Sequence, residues 1–302
     1  MVKVCCKWFP KGSRDYQKSD GFSLHPILKA QIDILLKNIK NDWDFTIIIT
    51  GGGEVRVGKS VLAMQIGAYW TYKIKKLYGN DCPWDVKTNF IFQGDKLISK
   101  GNELGTKHPY SVLIFDEAGA DLEGRKVIQS STQDVLDYMR ECGQYNMLNI
   151  LVMPEFFDLP KGLALSRSIF LIDVTYAADK NGIFQRGRFN FYSRPNKKML
   201  YIKGKRELNY GAYKCDFRGD FNNFYTIDEA EYRAAKVEAL KHRESKRRSK
   251  FQNQRDTCWY LLNREIGWTL QEIAKRMEQL TGIYVPFQTI SDGIRRFTME
   301  NE

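Results

Sequence analysis

The segment that most constrains the fold is residues 53–60, with the sequence GEVRVGKS. A glycine, four residues and then Gly-Lys-Ser is the spacing of the phosphate-binding loop (P-loop). The flanking sequence decides whether the pattern is meaningful. Residues 45–50 have the apolar, β-branched composition of a buried parallel strand, and residues 61–70 carry apolar side chains at helical spacing. Strand, glycine loop and helix together predict a nucleotide-binding site.

Each part of this loop has a chemical task. The glycines let backbone N–H groups surround the β-phosphate, and the helix N-terminus adds a partial positive charge. We expect Lys59 to reach the β- and γ-phosphates and Ser60 to hold Mg²⁺. The residues predicted to contact ATP are Gly53, Glu54, Val55, Arg56, Val57, Gly58, Lys59, Ser60 and Val61.

An acidic pair follows a second apolar run. Residues 112–115 are Val-Leu-Ile-Phe and precede Asp116 and Glu117, which indicates a buried strand with carboxylates at its C-terminal edge, where open parallel sheets bind ligands. Asp116 is predicted to complete the Mg²⁺ shell, usually through a water. Glu117 is predicted to orient the attacking water as a general base. A solvated turn is the alternative for such a pair, but its place after a P-loop favours hydrolysis of ATP.

Further elements complete the predicted core. The expected segments are a helix over 27–39, a short strand near 89–92, a short helix near 94–100, helical turns within 121–147, and strands over 148–153 and 169–174. In hydrolases of this class a polar residue near the end of the fourth strand senses the γ-phosphate. Asn149 stands at the start of that run and Glu155 just beyond its end, so neither fits the role cleanly.

Arg167 precedes one of these strands. It is predicted to be an arginine finger that reaches a neighbouring subunit's γ-phosphate, a role that contributes on the order of 10³–10⁵ in rate elsewhere. A simple surface charge is the alternative, and Arg140, Arg186 and Arg188 compete for the role.

Alternating residues after position 187 predict a β-hairpin at about 187–210. Its strands would be 188–193 and 198–203, joined by a turn at 194–197. The basic face of the hairpin suggests contact with DNA. An edge hairpin that only extends the sheet is the alternative.

Composition narrows the class of protein. The 302 residues carry 47 Lys and Arg against 36 Asp and Glu, a net charge of +11 that favours a polyanionic partner. The six cysteines show no paired C-x-x-C spacing and only three histidines are present, so reduced thiols are favoured over a zinc site. No long uncharged apolar run occurs, and the N-terminus lacks a signal-peptide core. We expect no membrane partner and a cytoplasmic location, in the host cytoplasm if the protein is viral.

Basic residues are concentrated near the C-terminus. Residues 226–255 are predicted to form a helical linker that begins at the N-cap Thr226. Between residues 236 and 255 eight Lys and Arg stand against two Glu, and Lys246, Arg247 and Arg248 are predicted to contact DNA. A solvated helix face is the alternative for such a run.

Residues 256–302 predict three short helices, over 256–266, 269–279 and 286–297, with a capping box between Thr269 and Glu272. The pattern resembles a helix-turn-helix whose last helix enters the major groove of DNA. The predicted base-edge contacts are Gln288, Thr289, Ser291 and Asp292, and the predicted phosphate contacts are Arg295 and Arg296. The turn at 280–285 is longer than the minimal one, and a helical bundle for protein docking is the alternative.

The P-loop, the sequence Phe115-Asp116-Glu117 and the strand that ends in Met153-Pro154 resemble the ATPases of viruses and mobile elements. These belong to the additional-strand (ASCE) division of P-loop proteins, near the HerA/FtsK and zonula-occludens-toxin-like ATPases. The resemblance covers about residues 20–210. It implies an α/β, RecA-like core with a mostly parallel sheet, and work in moving or packaging viral or plasmid DNA, often as a ring.

The sequence therefore predicts an ATPase domain over 1–225, including a lead-in over 1–41, then the linker over 226–255 and an all-α helix-turn-helix domain over 256–302. The predicted function is Mg²⁺-dependent ATP hydrolysis coupled to movement of double-stranded DNA. A homo-oligomer is expected because a lone subunit of this kind lacks its completing arginine. The alternatives are a DNA-bound regulator or partition-type protein, and a nucleotide kinase with an arginine lid.

Overall fold

The computed structural model describes residues 21–22, 24–54, 56–116, 136–139, 142–178 and 180–301, and the side chains of residues 95, 242–251 and 299–301 are outside this description. Val55, Glu117 and Arg140 of the predicted sites, and most of the helical turns expected within 121–147, therefore lie outside the described residues. The chain divides into two compact units, Met1–Ala235 and Lys236–Glu302.

The first unit is built on a seven-stranded sheet with the order β2-β3-β4-β1-β5-β6-β7. Its strands are β1 (Phe45–Thr50), β2 (Phe90–Ile91), β3 (Val112–Phe115), β4 (Leu148–Val152), β5 (Ser168–Ala178), β6 (Phe184–Tyr192) and β7 (Phe217–Asp220). Strands β2, β3, β4, β1 and β5 run parallel, and β6 and β7 are antiparallel additions at one edge. Every residue of β1, β3 and β4 is buried, as the continuous apolar runs require.

The position of β4 identifies the topology. This strand lies between β1, which precedes the P-loop, and β3, which precedes Asp116. A strand inserted between those two is the feature that gives the additional-strand division its name. The expected α/β core with a mostly parallel, RecA-like sheet is confirmed.

Among the described residues of the first unit, the α-helices that precede residue 229 are α1 (Pro26–Asn38), α2 (Lys59–Tyr78), the single turn α3 (Val86–Asn89), α4 (Leu97–Lys107) and α5 (Arg194–Gly204). The helix expected over 27–39 is confirmed by α1, which begins at a proline because that residue needs no hydrogen-bond partner there. Most of the first three turns of α2 is buried. This burial fixes the end of the P-loop against the sheet.

The predicted hairpin over 187–210 is wrong in its second strand. Residues 194–204 form α5, in which Lys197, Leu200, Tyr201 and Gly204 are buried at helical spacing. Pro195 stands in the first turn of this helix, where its fixed φ angle suits helical geometry. The antiparallel hairpin of the structure is instead formed by β5 and β6.

A long helix, α6 (Glu229–Tyr260), runs from the first unit into the second. The predicted N-cap Thr226 is wrong, because its hydroxyl donates to the carbonyl of Met64 at 3.1 Å. Asp228 takes the capping position, and its carboxylate accepts from the amide of Glu231 at 2.7 Å. The predicted helical character of the linker is confirmed.

The second unit contains the end of α6, a π-helical turn over Leu261–Glu265, α7 (Leu270–Thr281) and α8 (Phe287–Asn301). The capping box of Thr269 and Glu272 is confirmed, with both reciprocal hydrogen bonds present. A small core joins the helices, made of Trp259, Ile273, Ala274, Ile290 and Ile294. This core holds the end of the long helix α6 together with α7 and α8 in one arrangement.

Candidate nucleotide-binding site

The P-loop connects the end of β1 to the first residue of α2. Gly53 and Gly58 have φ angles of 79° and 105°, in the left-handed region that favours glycine. The ring of Phe221 also lies 3.1 Å from the position that a Cβ on Gly58 would take. Conformation and space therefore both require glycine at the N-cap of α2.

Lys59 spans the loop from the helix side. Its Nζ donates to the carbonyl oxygen of Glu54 at 2.5 Å. The same Nζ lies 3.0 Å from the position that a Cβ on Gly51 would occupy. The ammonium group is therefore held over the concave side of the loop, where phosphate oxygens would replace the carbonyl as its partners.

Ser60 and Asp116 are brought together, as the sequence predicted. Asp116 follows β3 and is 2% exposed, and its amide donates to the carbonyl of Ile91 at 2.8 Å. The hydroxyl of Tyr232 donates to the Asp116 carboxylate, and the same hydroxyl interacts with Ser60. Burial and the neighbouring Asp116 raise the pKa of Tyr232, which keeps its hydroxyl protonated.

These donors suit Mg²⁺. A serine hydroxyl and a carboxylate are oxygen ligands, which Mg²⁺ prefers over nitrogen or sulfur. Both groups converge on one small polar group beside the P-loop. Ser60 and Asp116 would therefore hold the ion, and the bound ion would supply positive charge to the β- and γ-phosphates.

Glu155, just beyond β4, lies beside the P-loop. The Gly53 amide donates to the carbonyl of Pro154 at 2.9 Å, and Oε2 of Glu155 lies 3.8 Å from where a Cβ on Gly53 would be. Tyr210 donates to Oε1 at 2.6 Å, and burial raises the pKa of Glu155. Asn149 lies at the other end of β4 and donates to the Cys142 sulfur at 3.5 Å. Of the two sensor candidates, the structure therefore places Glu155 at the loop.

Asp173 is a site residue that the sequence analysis missed. It lies on β5 in register with Thr50, the last residue of β1. Its Oδ2 accepts from Asn190 at 3.2 Å, whereas its buried Oδ1 has no hydrogen-bond partner in the described part of the chain. Burial raises the pKa of Asp173 to about 7, with a smaller contribution from Glu155 and an opposing one from Lys59. The sequence feature that could have identified Asp173 is a single acidic residue within an apolar strand.

Arg167 lies at the opposite edge of the sheet from the P-loop, directly before β5. Its guanidinium forms an ion pair with Asp44 and donates to the Cys142 sulfur at 3.4 Å. Asp44 directly precedes β1 at that same edge. Arg167 thus has a structural partner within its own subunit, and its role as an arginine finger stays a prediction.

The predicted DNA contacts of the second unit are only partly accessible. Gln288, Thr289 and Arg295 are exposed, and Ser291 and Asp292 are half-buried. Arg296 pairs at 2.9 Å with Asp256, a carboxylate whose side chain is 4% exposed. Lys246, Arg247 and Arg248 lie on α6, with side chains outside the described set. Arg296 thus joins α8 to α6, and the DNA contacts stay predictions.

Two absences apply to the described residues alone. Within them, no group of three or more His, Cys, Asp or Glu side chains is arranged to hold a metal ion. None of the helices described is both long enough and apolar enough to cross a membrane.

Comparison with known proteins gives low similarity. No protein-family model matches the chain, and no curated protein sequence does either. The genome packaging NTPase B204 of Sulfolobus turreted icosahedral virus 2, solved with ATP-gammaS, aligns with a TM-score of 0.34 and 13% identity over 51% of this chain and 94% of that one. B204 of Sulfolobus turreted icosahedral virus, a DNA-packaging ATPase, gives a TM-score of 0.34 and 17% identity over 52% and 95%.

A third solved structure is the N-terminal domain of zonular occludens toxin from Neisseria meningitidis. It aligns with a TM-score of 0.37 and 13% identity, over 63% of this chain and 97% of that one. TM-scores of this size establish no detailed correspondence between the chains, so the assignment of each site residue rests on the contacts of this chain.

Proposed function

We propose that this protein is a Mg²⁺-dependent ATPase that binds and moves double-stranded DNA. The observation that carries the ATPase part is the convergence of Ser60 and Asp116. These residues lie on different elements and meet at one hydroxyl beside a P-loop whose glycines have the required conformation. A glycine-rich turn that matched the P-loop spacing only by chance would not be expected to have a buried carboxylate beside it.

Each residue of the site would have a separate role in ATP hydrolysis. Lys59 would neutralise charge on the β- and γ-phosphates, and the loop amides would bind the β-phosphate. Ser60 and Asp116 would hold the metal ion, while Glu117 would orient the attacking water. Glu155, whose Oε2 lies 3.8 Å from where a Cβ on Gly53 would be, would contact the same water or the γ-phosphate.

The proposal that DNA is the partner rests on charge. The chain carries a net +11, and eight of its Lys and Arg occur between residues 236 and 255, within α6. The helices α7 and α8 form a small bundle directly after this segment. We infer that the segment contacts DNA phosphates and that the active form is a homo-oligomer, in which a neighbour supplies an arginine to each site.

The exposed polar side chains of Gln288 and Thr289 on α8 favour a second candidate function. Such groups read base edges when a helix lies in the major groove. A protein that uses them to bind one DNA sequence would be an ATP-regulated DNA-binding regulator or partition-type protein that moves no strand.

Steady-state ATP hydrolysis with and without double-stranded DNA tests the proposal, with Lys59→Ala as the blank. A motor should be stimulated by any duplex, and Glu117→Gln should abolish turnover while ATP still binds. An equal rate of ATP hydrolysis with and without DNA, together with tight binding of one DNA sequence, would favour the regulator. No hydrolysis above the Lys59→Ala blank would refute the ATPase proposal.

A further inference from the structure

We propose that the Tyr232 hydroxyl occupies the position between Ser60 and Asp116 that Mg²⁺ would take. Binding of the magnesium–nucleotide would then displace Tyr232 and shift the first turn of α6. This inference rests on the proposed nucleotide site. It assigns to one tyrosine the link between that site and the helix that continues into the second unit.

The competition follows from the contacts of the hydroxyl. It donates to the Asp116 carboxylate and interacts with the Ser60 side chain. Mg²⁺ binds its oxygen ligands at about 2.0–2.1 Å and demands near-octahedral geometry. A tyrosine oxygen that is hydrogen-bonded to Asp116 and close enough to Ser60 to interact with it fills volume that the ion and its waters need. The hydroxyl and the ion are therefore alternatives.

The ring cannot leave by a simple rotation. Tyr232 is 4% exposed, and its ring centroid lies 5.8 Å from that of Phe90 and 5.6 Å from that of Phe92. Tyr225 packs at 6.3 Å. A helical aromatic residue has only two common χ1 rotamers, and a close-packed interior resists a rotated ring. Displacement of the hydroxyl therefore requires a shift of the backbone that carries it.

The segment before α6 confines this shift to the helix. Thr226 is fixed to α2, since its hydroxyl donates to the carbonyl of Met64 at 3.1 Å. Gln65 of α2 donates to the carbonyl of Asn222 at 2.8 Å and to that of Phe224 at 3.1 Å. Movement should therefore begin after Thr226 and include the hydrogen bond from the Tyr232 amide to the Asp228 carbonyl, now 3.0 Å long. By linkage, a partner that holds the first turn of α6 in place would weaken magnesium–nucleotide binding.

The first test compares Tyr232→Phe with Tyr225→Phe. Both variants lose one hydroxyl from the same aromatic cluster, but the Tyr225 hydroxyl interacts with Arg233, whereas the Tyr232 hydroxyl donates to Asp116. Binding of a fluorescent ADP is measured with Mg²⁺ and with EDTA. Because a hydrogen bond to a charged group is lost, Tyr232→Phe should bind Mg–ADP about tenfold tighter. Its affinity in EDTA, and both affinities of Tyr225→Phe, should match the wild type. Equal or weaker Mg–ADP binding by Tyr232→Phe would overturn the inference.

Hydrogen exchange on the wild-type chain gives a second readout that does not depend on a variant. Mg–ADP should speed exchange of the amides in residues 231–235, and ADP with EDTA should not. Unchanged exchange there on binding Mg–ADP would refute the coupling. A wild-type chain that binds no nucleotide would refute the proposed site and this inference together, whereas binding with no effect at Tyr232 overturns this inference alone.

Discussion

Lys197 provides the sharpest test of the packing described above. Its side chain is fully buried on α5, and its Nζ donates at 2.5 Å to both the carbonyl and the hydroxyl oxygen of Ser168. Burial lowers the pKa of Lys197 from 10.5 to about 7, with a smaller effect from Arg194. The unfolded chain therefore binds more protons than the folded one between about pH 7 and pH 10.5. Stability from this group must rise with pH across that window.

The magnitude follows from the pKa shift. Each pH unit inside the window contributes up to about 1.4 kcal/mol, so a rise from pH 7 to pH 9.5 should add about 3 kcal/mol to the free energy of unfolding. Lys197→Met has a side chain of similar length but no titrating group. The free energy of unfolding of the wild type should therefore gain about 3 kcal/mol relative to Lys197→Met over this range.

Urea denaturation at pH 7 and pH 9.5 measures the difference. Other groups that titrate in this range, such as the buried thiols, cancel because they are common to both chains. Lys198→Met, at the exposed neighbouring position, is the matched control and should follow the wild type. Parallel pH profiles for the wild type and Lys197→Met would show that Lys197 is charged in the folded protein, contrary to the argument from burial.

Three further predictions concern the P-loop edge of the sheet and the charged helix. Asp173→Asn should raise the free energy of unfolding by about 2–4 kcal/mol at pH 8 and little at pH 4.5. The reason is that a buried carboxyl with a raised pKa loses its contribution to stability as the pH rises towards 7. An equal gain at both pH values in urea titrations would contradict this prediction. Gly58→Ala should weaken Mg–ADP binding more than tenfold in equilibrium titrations, because the φ angle of Gly58 is 105° and Phe221 crowds the position of a Cβ there. The control Gly79→Ala lies at a φ angle of 73° with open space around it and should bind Mg–ADP normally. If all eight basic residues between 236 and 255 contact phosphates, log affinity for duplex DNA should fall against log salt with a slope of about −7, and a slope near zero would mean a solvated helix.

The sequence predicted the parts of the fold that local pattern determines. Continuous apolar runs identified β1, β3 and β4, and the P-loop spacing identified the start of α2. The prediction of the second hairpin strand failed because residues 198–203 are a short apolar and aromatic run between two lysines, and a run of that length does not distinguish a strand from a helix. The deciding observation is burial at 197, 200, 201 and 204, which depends on packing against distant segments.

In the candidate site, too, local motifs identify some residues and only the folded structure identifies others. Lys59, Ser60 and Asp116 belong to local motifs and were identified from spacing. Tyr232 enters the site from more than one hundred residues further along the chain, and no motif marks it. Asp173 becomes part of the site only through the register of β5 against β1. Contacts set by topology are invisible in a single sequence, because their residues have ordinary types at ordinary spacing.

The position of Arg167 limits how subunits could cooperate. The P-loop lies at the C-terminal edge of the parallel strands, whereas Arg167 and its partner Asp44 lie at the other edge. If Arg167 completes a neighbour's site, the two subunits must therefore join opposite edges of their sheets, which is a head-to-tail contact that closes into a ring or extends into a filament. Arg167 would also have to leave Asp44, whose side chain is 12% exposed, and a half-buried charge without its partner is destabilising. An arginine finger at this position is thus compatible only with an interface that gives Asp44 a new partner.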